Sequence, residues 1–155
     1  MFTNFSSDYK AYLVAFILAL LIRKFIFHIS FVSGKSMEDT LHHRNILFCT
    51  IFDKTKLKHS DIIVLRPPEE DRLYVKRVIG LPGDRIEIDY DNIFLNEKIL
   101  EEPYIKEKPI YYKNSIHLEN EYFVLGDNRN NSCDSRHFGA ITQKDIVAKV
   151  RFKIF

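Results

Sequence analysis

Apolar residues are concentrated in one uninterrupted run near the N-terminus of this 155-residue chain. Residues 11–22 carry no charge, but twelve helical residues span only about 18 Å, less than the ~30 Å hydrocarbon core of a bilayer. The run resumes after Arg23 and Lys24, so a longer helix can cross if both cations reach an interface. The pattern predicts a transmembrane anchor over residues 9–28, preceded by a short cytoplasmic N-terminus of residues 1–8.

A cleaved signal peptide and a buried core helix fit this apolar run less well than an anchor does. A cleaved signal peptide needs a small-x-small motif soon after the run, and the sequence has none there. A buried core helix would be apolar on every face, which is rare at the start of a small soluble domain. An uncleaved anchor is therefore the preferred interpretation.

From Ile29 onward the pattern is typical of strands separated by turns. In the tail, Ala148, Val150, Phe152 and Ile154 fall on one face, and Lys149, Arg151 and Lys153 fall on the other. The D-Y-D-N segment at residues 89–92 predicts a hairpin turn. Further predicted strands lie within 45–51, 61–65, 73–79, 84–90 and 121–125. The predicted fold is mainly β, an antiparallel folded sheet or partly closed barrel over residues 29–155.

Charge and cysteine content exclude two classes of function. A net charge of +2 without a basic stripe argues against a nucleic-acid partner. Cys49 and Cys133 lie far apart and have no metal-type spacing, so we expect no metal and no cofactor. A disulfide between the two cysteines stays open at this point.

The segment S-G-K-S-M-E-D-T-L, residues 33–41, offers two candidate serine nucleophiles, Ser33 and Ser36. A serine nucleophile needs a base, and no histidine lies in a recognisable triad motif. We interpret all six as surface or loop imidazoles: His28, His42, His43, His59, His117 and His137. The alternative is a Ser-Lys pair, in which a neutral amine takes the hydroxyl proton.

Lys76, in L-Y-V-K-R-V-I, is the candidate base. An ordinary lysine has a pKa near 10.4, so only about one amine in a thousand is neutral at pH 7.5, and an apolar site is needed to lower that pKa. Lys76 has Tyr74 and Val78 as its same-face neighbours. Arg77 is flanked equally well by apolar residues, but a guanidinium is effectively never neutral.

Three segments together resemble the signature motifs of type I signal peptidases. They are S-G-K-S-M-E-D-T-L, the stretch Y-V-K-R-V-I-G-L-P-G-D at residues 74–84, and L-G-D-N-R-N-N-S-C-D-S-R at residues 125–136. Their order and the preceding apolar run also match, so the resemblance covers nearly the whole chain. It implies the signal-peptidase type of β fold in a minimal, Gram-positive-like form.

The resemblance also implies roles for individual residues. Ser36 would be the nucleophile and Lys76 the general base, with the oxyanion bound by the backbone N–H of Ser36. Ser132 would orient the Lys76 amine, and Asp134 and Arg136 would form a structural salt bridge. Gly34 would shape the nucleophile turn, at a position where some members have a serine. Ser33 lies one residue too early for that role.

Asp39 departs from the family pattern, which has proline at this position. If its carboxylate faces the site, it favours the charged form of Lys76, which opposes catalysis. If instead it points to solvent, screening makes its charge irrelevant to the base.

The implied function is a membrane-bound serine endopeptidase that removes N-terminal signal peptides by cutting after small residues at positions −1 and −3. Preprotein signal peptides, the lipid bilayer and a nearby secretion translocon would be its partners. Its location would be the bacterial plasma membrane, with the catalytic domain on the extracytoplasmic face. Positive-inside counting gives the opposite orientation, because more cations follow the apolar run than precede it.

Two alternatives belong to other classes. One is a catalytically idle relative that assists assembly of surface structures, which intact Ser36 and Lys76 argue against. The other is a self-cleaving repressor, which would need a DNA-binding domain where this chain has its apolar run.

Overall fold

The computed structural model describes residues 5–90, 92–107 and 113–155. A long N-terminal helix, α1, is followed by eleven strands, with a short helix α2 and one 3₁₀ turn between β9 and β10. The elements are α1 Phe5–Phe25, β1 Phe27–Phe31, β2 Ile46–Thr50, β3 Ile62–Leu65, β4 Tyr74–Gly80, β5 Arg85–Asp89, β6 Asn92–Leu95, β7 Lys98–Ile99, β8 Asn114–His117, β9 Glu121–Leu125, the 3₁₀ turn Arg129–Asn131, α2 Ser135–Phe138, β10 Ile141–Thr142 and β11 Ile146–Lys153.

The strands form two antiparallel sheets. The larger has seven strands in the order β1-β2-β11-β3-β4-β9-β10, and the smaller has four in the order β7-β6-β5-β8. The larger sheet curls into a half-barrel, as a twisted antiparallel sheet does when bulges interrupt its ladders. The predicted mainly β, antiparallel fold is confirmed.

The described residues form three apolar clusters, of which one joins the two sheets and two lie within the larger sheet and its turns. One joins the smaller sheet to β4 and β9, one lies under the turn after β1, and one covers the other face of β3, β4 and β9. The second cluster includes Met37 and Leu41, which are buried and anchor the segment that carries Ser36. Burying such side chains contributes about 1.5–3 kcal/mol each, so this segment is held by packing as well as by hydrogen bonds.

The predicted strands are confirmed, and the tail is corrected. Residues 45–51, 61–65, 84–90 and 121–125 contain β2, β3, β5 and β9, and residues 73–79 contain β4 except for its last residue, Gly80. The D-Y-D-N turn includes Asp91, which lies outside the described residues, but Asp89 pairs with Asn92 as the hairpin requires.

The strict alternation predicted for the tail is wrong beyond Val150. The register of β11 against β2 shifts there, so Val150 pairs with the buried Cys49 and Phe152 pairs with Phe48. Phe152 stacks on Phe48 with ring centroids 4.9 Å apart and stays exposed. A bulge inserts one residue and moves the following side chains to the opposite face, which a period of two cannot anticipate.

The N-terminal helix is shorter at its C-terminal end than the predicted anchor over residues 9–28. Helix α1 ends at Phe25, and residues 27 and 28 belong to β1, where they pair with Thr50 and Cys49. Pairing with β2 provides hydrogen-bond partners for their backbone N–H and C=O groups, so these residues do not need the hydrogen bonds of a longer helix. Within the described ranges, no helix is both long enough and apolar enough to cross a membrane. Residues 1–4 of the predicted cytoplasmic segment lie outside the described residues.

Candidate active site

Ser36 and Lys76 meet on the larger sheet, where β4 is flanked by β3 and β9. Ser36 lies in the turn that follows β1, and Lys76 lies in the middle of β4. The Nζ of Lys76 is 2.7 Å from the Oγ of Ser36, within hydrogen-bond distance although forty residues separate them. This is the contact that a Ser-Lys pair needs for proton transfer.

Lys76 is almost completely buried, with 1% of its surface exposed. Burial lowers its pKa from 10.5 to about 8, against the opposing effects of Asp134 and Cys133. Its Nζ lies 5.4 Å from the centre of the Tyr74 ring, which is one of the same-face neighbours expected from the strand pattern. At pH 7.5, a pKa near 8 leaves about a quarter of the amines neutral, compared with about one in a thousand for an ordinary lysine.

Gly34 gives the nucleophile turn its shape. Its φ is 106°, a conformation that side chains with a Cβ rarely adopt, and its N–H donates to Nδ1 of His43 at 3.3 Å. After the turn, the N–H of Asn128 donates to the Ser36 carbonyl oxygen at 3.0 Å. The backbone around the nucleophile is therefore held from both sides.

A buried ion pair joins the three signature segments. Arg77 donates from Nε and from its terminal nitrogen to Asp127 at 2.8 and 2.6 Å, and both side chains are almost fully buried. Thr40, in the nucleophile segment, donates to the same carboxylate at 2.5 Å. A bidentate pair of this kind fixes orientation as well as distance. A guanidinium cannot act as the base, and the structure gives Arg77 this positioning role instead.

Asp134 and Arg136 form the predicted salt bridge. Arg136 donates from Nε and from a terminal nitrogen to Asp134 at 2.8 Å each, and Asp134 is fully buried. Burial opposes ionisation of Asp134, but Arg136 and the N–H of Gly126 hold the pKa of that carboxyl below its ordinary value. Asp134 also caps the short helix α2, so the pair fixes the loop that follows β9.

Ser132 and Gly126 are packed tightly beside the nucleophile. The Ser132 hydroxyl oxygen is buried and lies beside the Asp134 carboxylate, whose pKa it helps to lower, and no hydrogen bond joins it to Lys76 among the residues that the structure describes. Its predicted contact with the Lys76 amine therefore stays a prediction. A Cβ on Gly126 would lie 2.2 Å from that hydroxyl and 2.5 Å from the Ser36 carbonyl oxygen, so only glycine fits. Sequence reasoning missed Gly126, although a glycine opening L-G-D-N was a signal for close backbone approach.

The other sequence candidates lie outside the pair. Ser33 is exposed, while His59 is bonded to Asp84 at 2.7 Å, far along the chain from Ser36. Cys49 is buried and Cys133 is exposed, and both are free thiols, so the disulfide left open by the sequence is not formed. Burial raises the pKa of Cys49 to about 11, which makes it an inert thiol. Among the described residues, no cluster of three or more metal-ligating side chains occurs.

Asp39 faces away from the base. Its carboxylate forms an ion pair with Lys106, and both side chains are largely exposed. The largest charge effects on the pKa of Lys76 come from other residues, with Asp134 first among them. The solvent-facing alternative for Asp39 is therefore the one that the geometry supports.

An open cleft of about 510 Å³ runs past the serine and the lysine. It is lined by residues 28–37, residues 72–76, Asn131 and Cys133. One wall is β1, which lies at the edge of the larger sheet, and the other is the segment entering β4. The cleft therefore has along one wall the edge strand that an extended peptide needs for backbone pairing.

Known proteins resemble this chain over most of its length. The family model described as signal peptidase, peptidase S26, matches residues 6–155. Signal peptidase I P of Bacillus subtilis subsp. natto is 43% identical over 89% of this chain and 82% of the relative. Signal peptidase I S of Bacillus subtilis strain 168 is 40% identical over 94% of this chain and 86% of the relative.

A solved structure agrees with these relatives. The crystal structure of a signal peptidase I from Enterococcus faecalis V583 superposes with a TM-score of 0.54 at 30% sequence identity, covering 61% of this chain and 97% of that chain. The family match, the relatives and the solved structure agree, and the chain belongs to the signal peptidase family, peptidase S26.

Proposed function

We propose that the protein cleaves preproteins with Ser36 as the nucleophile and Lys76 as the general base. Membership of the signal peptidase family makes it a serine protease that removes signal peptides. The observation that carries the proposed roles is the 2.7 Å contact between Lys76 Nζ and Ser36 Oγ, together with the burial of that lysine. The same contact argues against a catalytically idle relative.

The first half of the reaction forms an acyl-enzyme. Neutral Lys76 takes the Ser36 hydroxyl proton while Oγ attacks the scissile carbonyl carbon, and the backbone N–H of Ser36 stabilises the resulting oxyanion. The Lys76 ammonium then gives its proton to the leaving amine as the C–N bond breaks. The mature protein departs, and the signal peptide is held as an ester on Ser36.

The second half releases the signal peptide. Lys76, neutral again, takes a proton from water, and the hydroxide attacks the ester carbonyl. The tetrahedral intermediate collapses, the C–Oγ bond breaks and Ser36 recovers its proton from Lys76. Asp134, Arg136 and the Arg77–Asp127 pair keep the same geometry through both halves. Ser132 is the predicted orienting residue for the Lys76 amine, and its buried hydroxyl lies beside Asp134.

The substrate is an extended segment of a preprotein lying in the cleft beside β1. Backbone pairing with an edge strand gives affinity, and alternate side chains of the peptide point toward the protein. Small residues at positions −1 and −3 share one face of an extended chain, because successive side chains alternate. Specificity for small residues would then follow from shallow contacts on the cleft wall.

We extend the proposal to the membrane. The large apolar side chains described on α1 are all exposed, from Tyr9 to Leu21. On one face of β1 and β2, the Phe27 and Phe48 rings lie 5.0 Å apart, and Phe31 is exposed. Contiguous exposed apolar surface marks an interaction site. The proposed arrangement is a single-pass enzyme of the bacterial plasma membrane, with residues 1–8 in the cytoplasm and the catalytic domain outside, near the translocon.

The proposed function is tested with the detergent-solubilised protein and a purified preprotein. The new N-terminus, read by mass spectrometry, should follow small residues at positions −1 and −3. Ser36→Ala should lose cleavage, because a methyl group cannot form the acyl-enzyme, while Ser115→Ala on the exposed strand β8 serves as the matched control. Cleavage by Ser36→Ala at more than about a thousandth of the parental rate would remove Ser36 from the nucleophile role.

A further inference from the structure

Residues 101–107, E-E-P-Y-I-K-E, leave the smaller sheet after β7 and contact all three signature segments of the larger sheet. We call this segment the strap. It does not line the cleft, which is bounded by residues 28–37 and 72–76, Asn131 and Cys133. A role in the reaction would therefore have to act through the residues that it touches.

The centre of the strap packs on the ion pair behind the base. The Tyr104 ring lies 3.9 Å from the Arg77 guanidinium carbon, the stacked geometry in which an arginine is attracted to an aromatic face. Burial, followed by the neighbouring Glu102 carboxylate, raises the pKa of Tyr104, so its hydroxyl stays protonated. That hydroxyl donates to Glu102 at 2.7 Å.

Glu102 fixes the strap to the third signature segment. Its carboxylate forms an ion pair with Arg129, and both side chains are at least nine-tenths buried. One of the contacts is a hydrogen bond of 2.6 Å from Arg129. Arg129 also donates from Nε to the carbonyl oxygen of Gly126, the residue packed against Ser36 and Ser132.

The contacts continue from Arg77 to the nucleophile. Arg77 donates to Asp127, and Asp127 accepts from Thr40 four residues after Ser36. The next residue, Asn128, donates from its N–H to the Ser36 carbonyl oxygen and from its side chain to the Lys35 carbonyl oxygen at 3.1 Å. The Tyr104 ring therefore contacts Arg77, and Arg77 in turn holds Asp127, the carboxylate that is hydrogen-bonded to the nucleophile segment.

The C-terminal part of the strap adds two weaker contacts. Lys106 pairs with Asp39 in the nucleophile segment, where the family has proline. Asn130 donates to Glu107 at 3.3 Å. Both contacts are solvent-exposed, and exposed pairs contribute little, so the main effect of the strap comes from Tyr104 and Glu102.

We propose that Tyr104 and Glu102 are positioning residues, which hold Arg77 and Arg129 so that Ser36 and Lys76 keep their reactive separation. This inference rests on the proposed Ser36–Lys76 function. A misplacement of about 1 Å in a reacting group can cost on the order of a hundredfold in rate. Loss of the strap contacts should therefore lower kcat, and it should leave KM unchanged because the strap does not line the cleft.

The test measures kcat and KM separately for the full-length protein in detergent, with an internally quenched peptide carrying a cleavable signal-peptide junction. Tyr104→Leu removes the aromatic face and should lower kcat by at least about tenfold. Tyr104→Phe keeps the ring, loses only the hydroxyl contact, and should restore kcat to within about threefold of the parent. Glu102→Gln should also lower kcat, whereas Glu101→Gln, at the exposed neighbouring position, is the matched control.

A pH profile separates positioning from damage to the base. The largest effects on the pKa of Lys76 come from its burial and from Asp134, Cys133, Arg136 and Asp127, so the rising limb of the pH–rate profile of Tyr104→Leu should overlay that of the parent. Parental kcat in both Tyr104→Leu and Glu102→Gln would overturn the proposal, and so would a rise in KM with kcat unchanged. If Tyr104→Leu does not fold, Glu102→Gln decides between the same outcomes. Cleavage by Ser36→Ala would instead contradict the proposed function itself.

Discussion

Two buried lysines lie in the same row of the larger sheet, and their surroundings differ. Lys149 on β11 pairs with Ile63 on β3, and Ile63 pairs in turn with Lys76 on β4. Lys76 is 1% exposed and Lys149 is 9% exposed. The two therefore share strand geometry and burial, and what remains to distinguish them is the partner of each ammonium group.

Lys149 meets a carboxylate, and Lys76 meets a hydroxyl. The Nζ of Lys149 donates to Asp61 at 2.5 Å, while the Nζ of Lys76 lies 2.7 Å from Ser36. A carboxylate partner stabilises the charged amine, whereas a hydroxyl compensates little of the cost of burying a charge. Burial alone therefore does not make a base. A buried lysine can act as a base when no carboxylate contacts its amine, because its neutral form is then accessible near neutral pH.

The largest expected difference between the two lysines is the effect on cleavage when each is replaced by arginine. Lys76→Arg keeps the charge but provides no group that can be deprotonated, so cleavage should fall by about a thousandfold. Lys149→Arg should keep cleavage within about twofold, because a guanidinium pairs well with the Asp61 carboxylate. Steady-state cleavage of a preprotein measures both. Substantial activity in Lys76→Arg would remove Lys76 from the role of base.

The second prediction concerns the pH dependence of cleavage. Only neutral Lys76 accepts the Ser36 proton, so activity should rise about tenfold per pH unit below the lysine pKa and level off above it. Burial sets that pKa at about 8, which places the midpoint of the rising limb there. Lys149→Arg should give the same limb, since it leaves the surroundings of Lys76 intact. A flat profile from about pH 5 to 9, with chemistry rate-limiting, would contradict a lysine base.

The third prediction removes the carboxylate that distinguishes Lys149. Asp61→Asn leaves the ammonium of Lys149 largely buried without its counter-charge, so the free energy of unfolding should fall by about 2 kcal/mol. Both side chains keep some exposure, which holds the loss below that of a fully buried pair. Urea unfolding at pH 7 measures the change, and Asp71→Asn in an exposed turn is the matched control. An unfolding midpoint equal to the parent's would mean that the pair contributes no net stability.

The smallest effect is expected at Asp39, the carboxylate nearest to the nucleophile in sequence after Glu38. The partner of Asp39 is Lys106 on the surface. Asp39→Asn should therefore leave the rising limb of the pH–rate profile unchanged and alter kcat by less than about twofold. The profile is compared with that of the parent at two salt concentrations. A limb shifted to lower pH at low salt would show that the Asp39 charge does reach Lys76.

Sequence reasoning succeeded where a residue's role depends on its own strand. The alternation in β4 placed Tyr74 and Val78 beside Lys76, and the inability of arginine to lose its proton excluded Arg77. It was wrong about Phe152, because the bulge at Arg151 depends on how β11 fits β2 and leaves no mark in the alternation of the tail itself. The predicted end of the N-terminal helix differs from the observed one for a related reason. Residues 27 and 28 lie in β1 because β2 provides their pairing partners.

The sequence predicted the Ser36–Lys76 pair, but it did not predict all of the contacts that hold the pair in place. The signature segments identified Ser36, Lys76, Asp134 and Arg136, and the structure brings the members of each pair into contact. Neither the contact of Thr40 with Asp127 nor the packing of Gly126 on the Ser36 carbonyl could be predicted, because the partners are far apart in sequence.

The sequence by itself determined the residue types available for chemistry, the strands that carry them and the family to which the chain belongs. These follow from local pattern, from the acid–base properties of each side chain and from motifs within single segments. Only the tertiary structure decided which buried lysine is paired with a carboxylate, and that the strap reaches Arg77. The physical reason is that burial and partner, which set the pKa of a lysine, are properties of side chains brought together from distant segments of the chain.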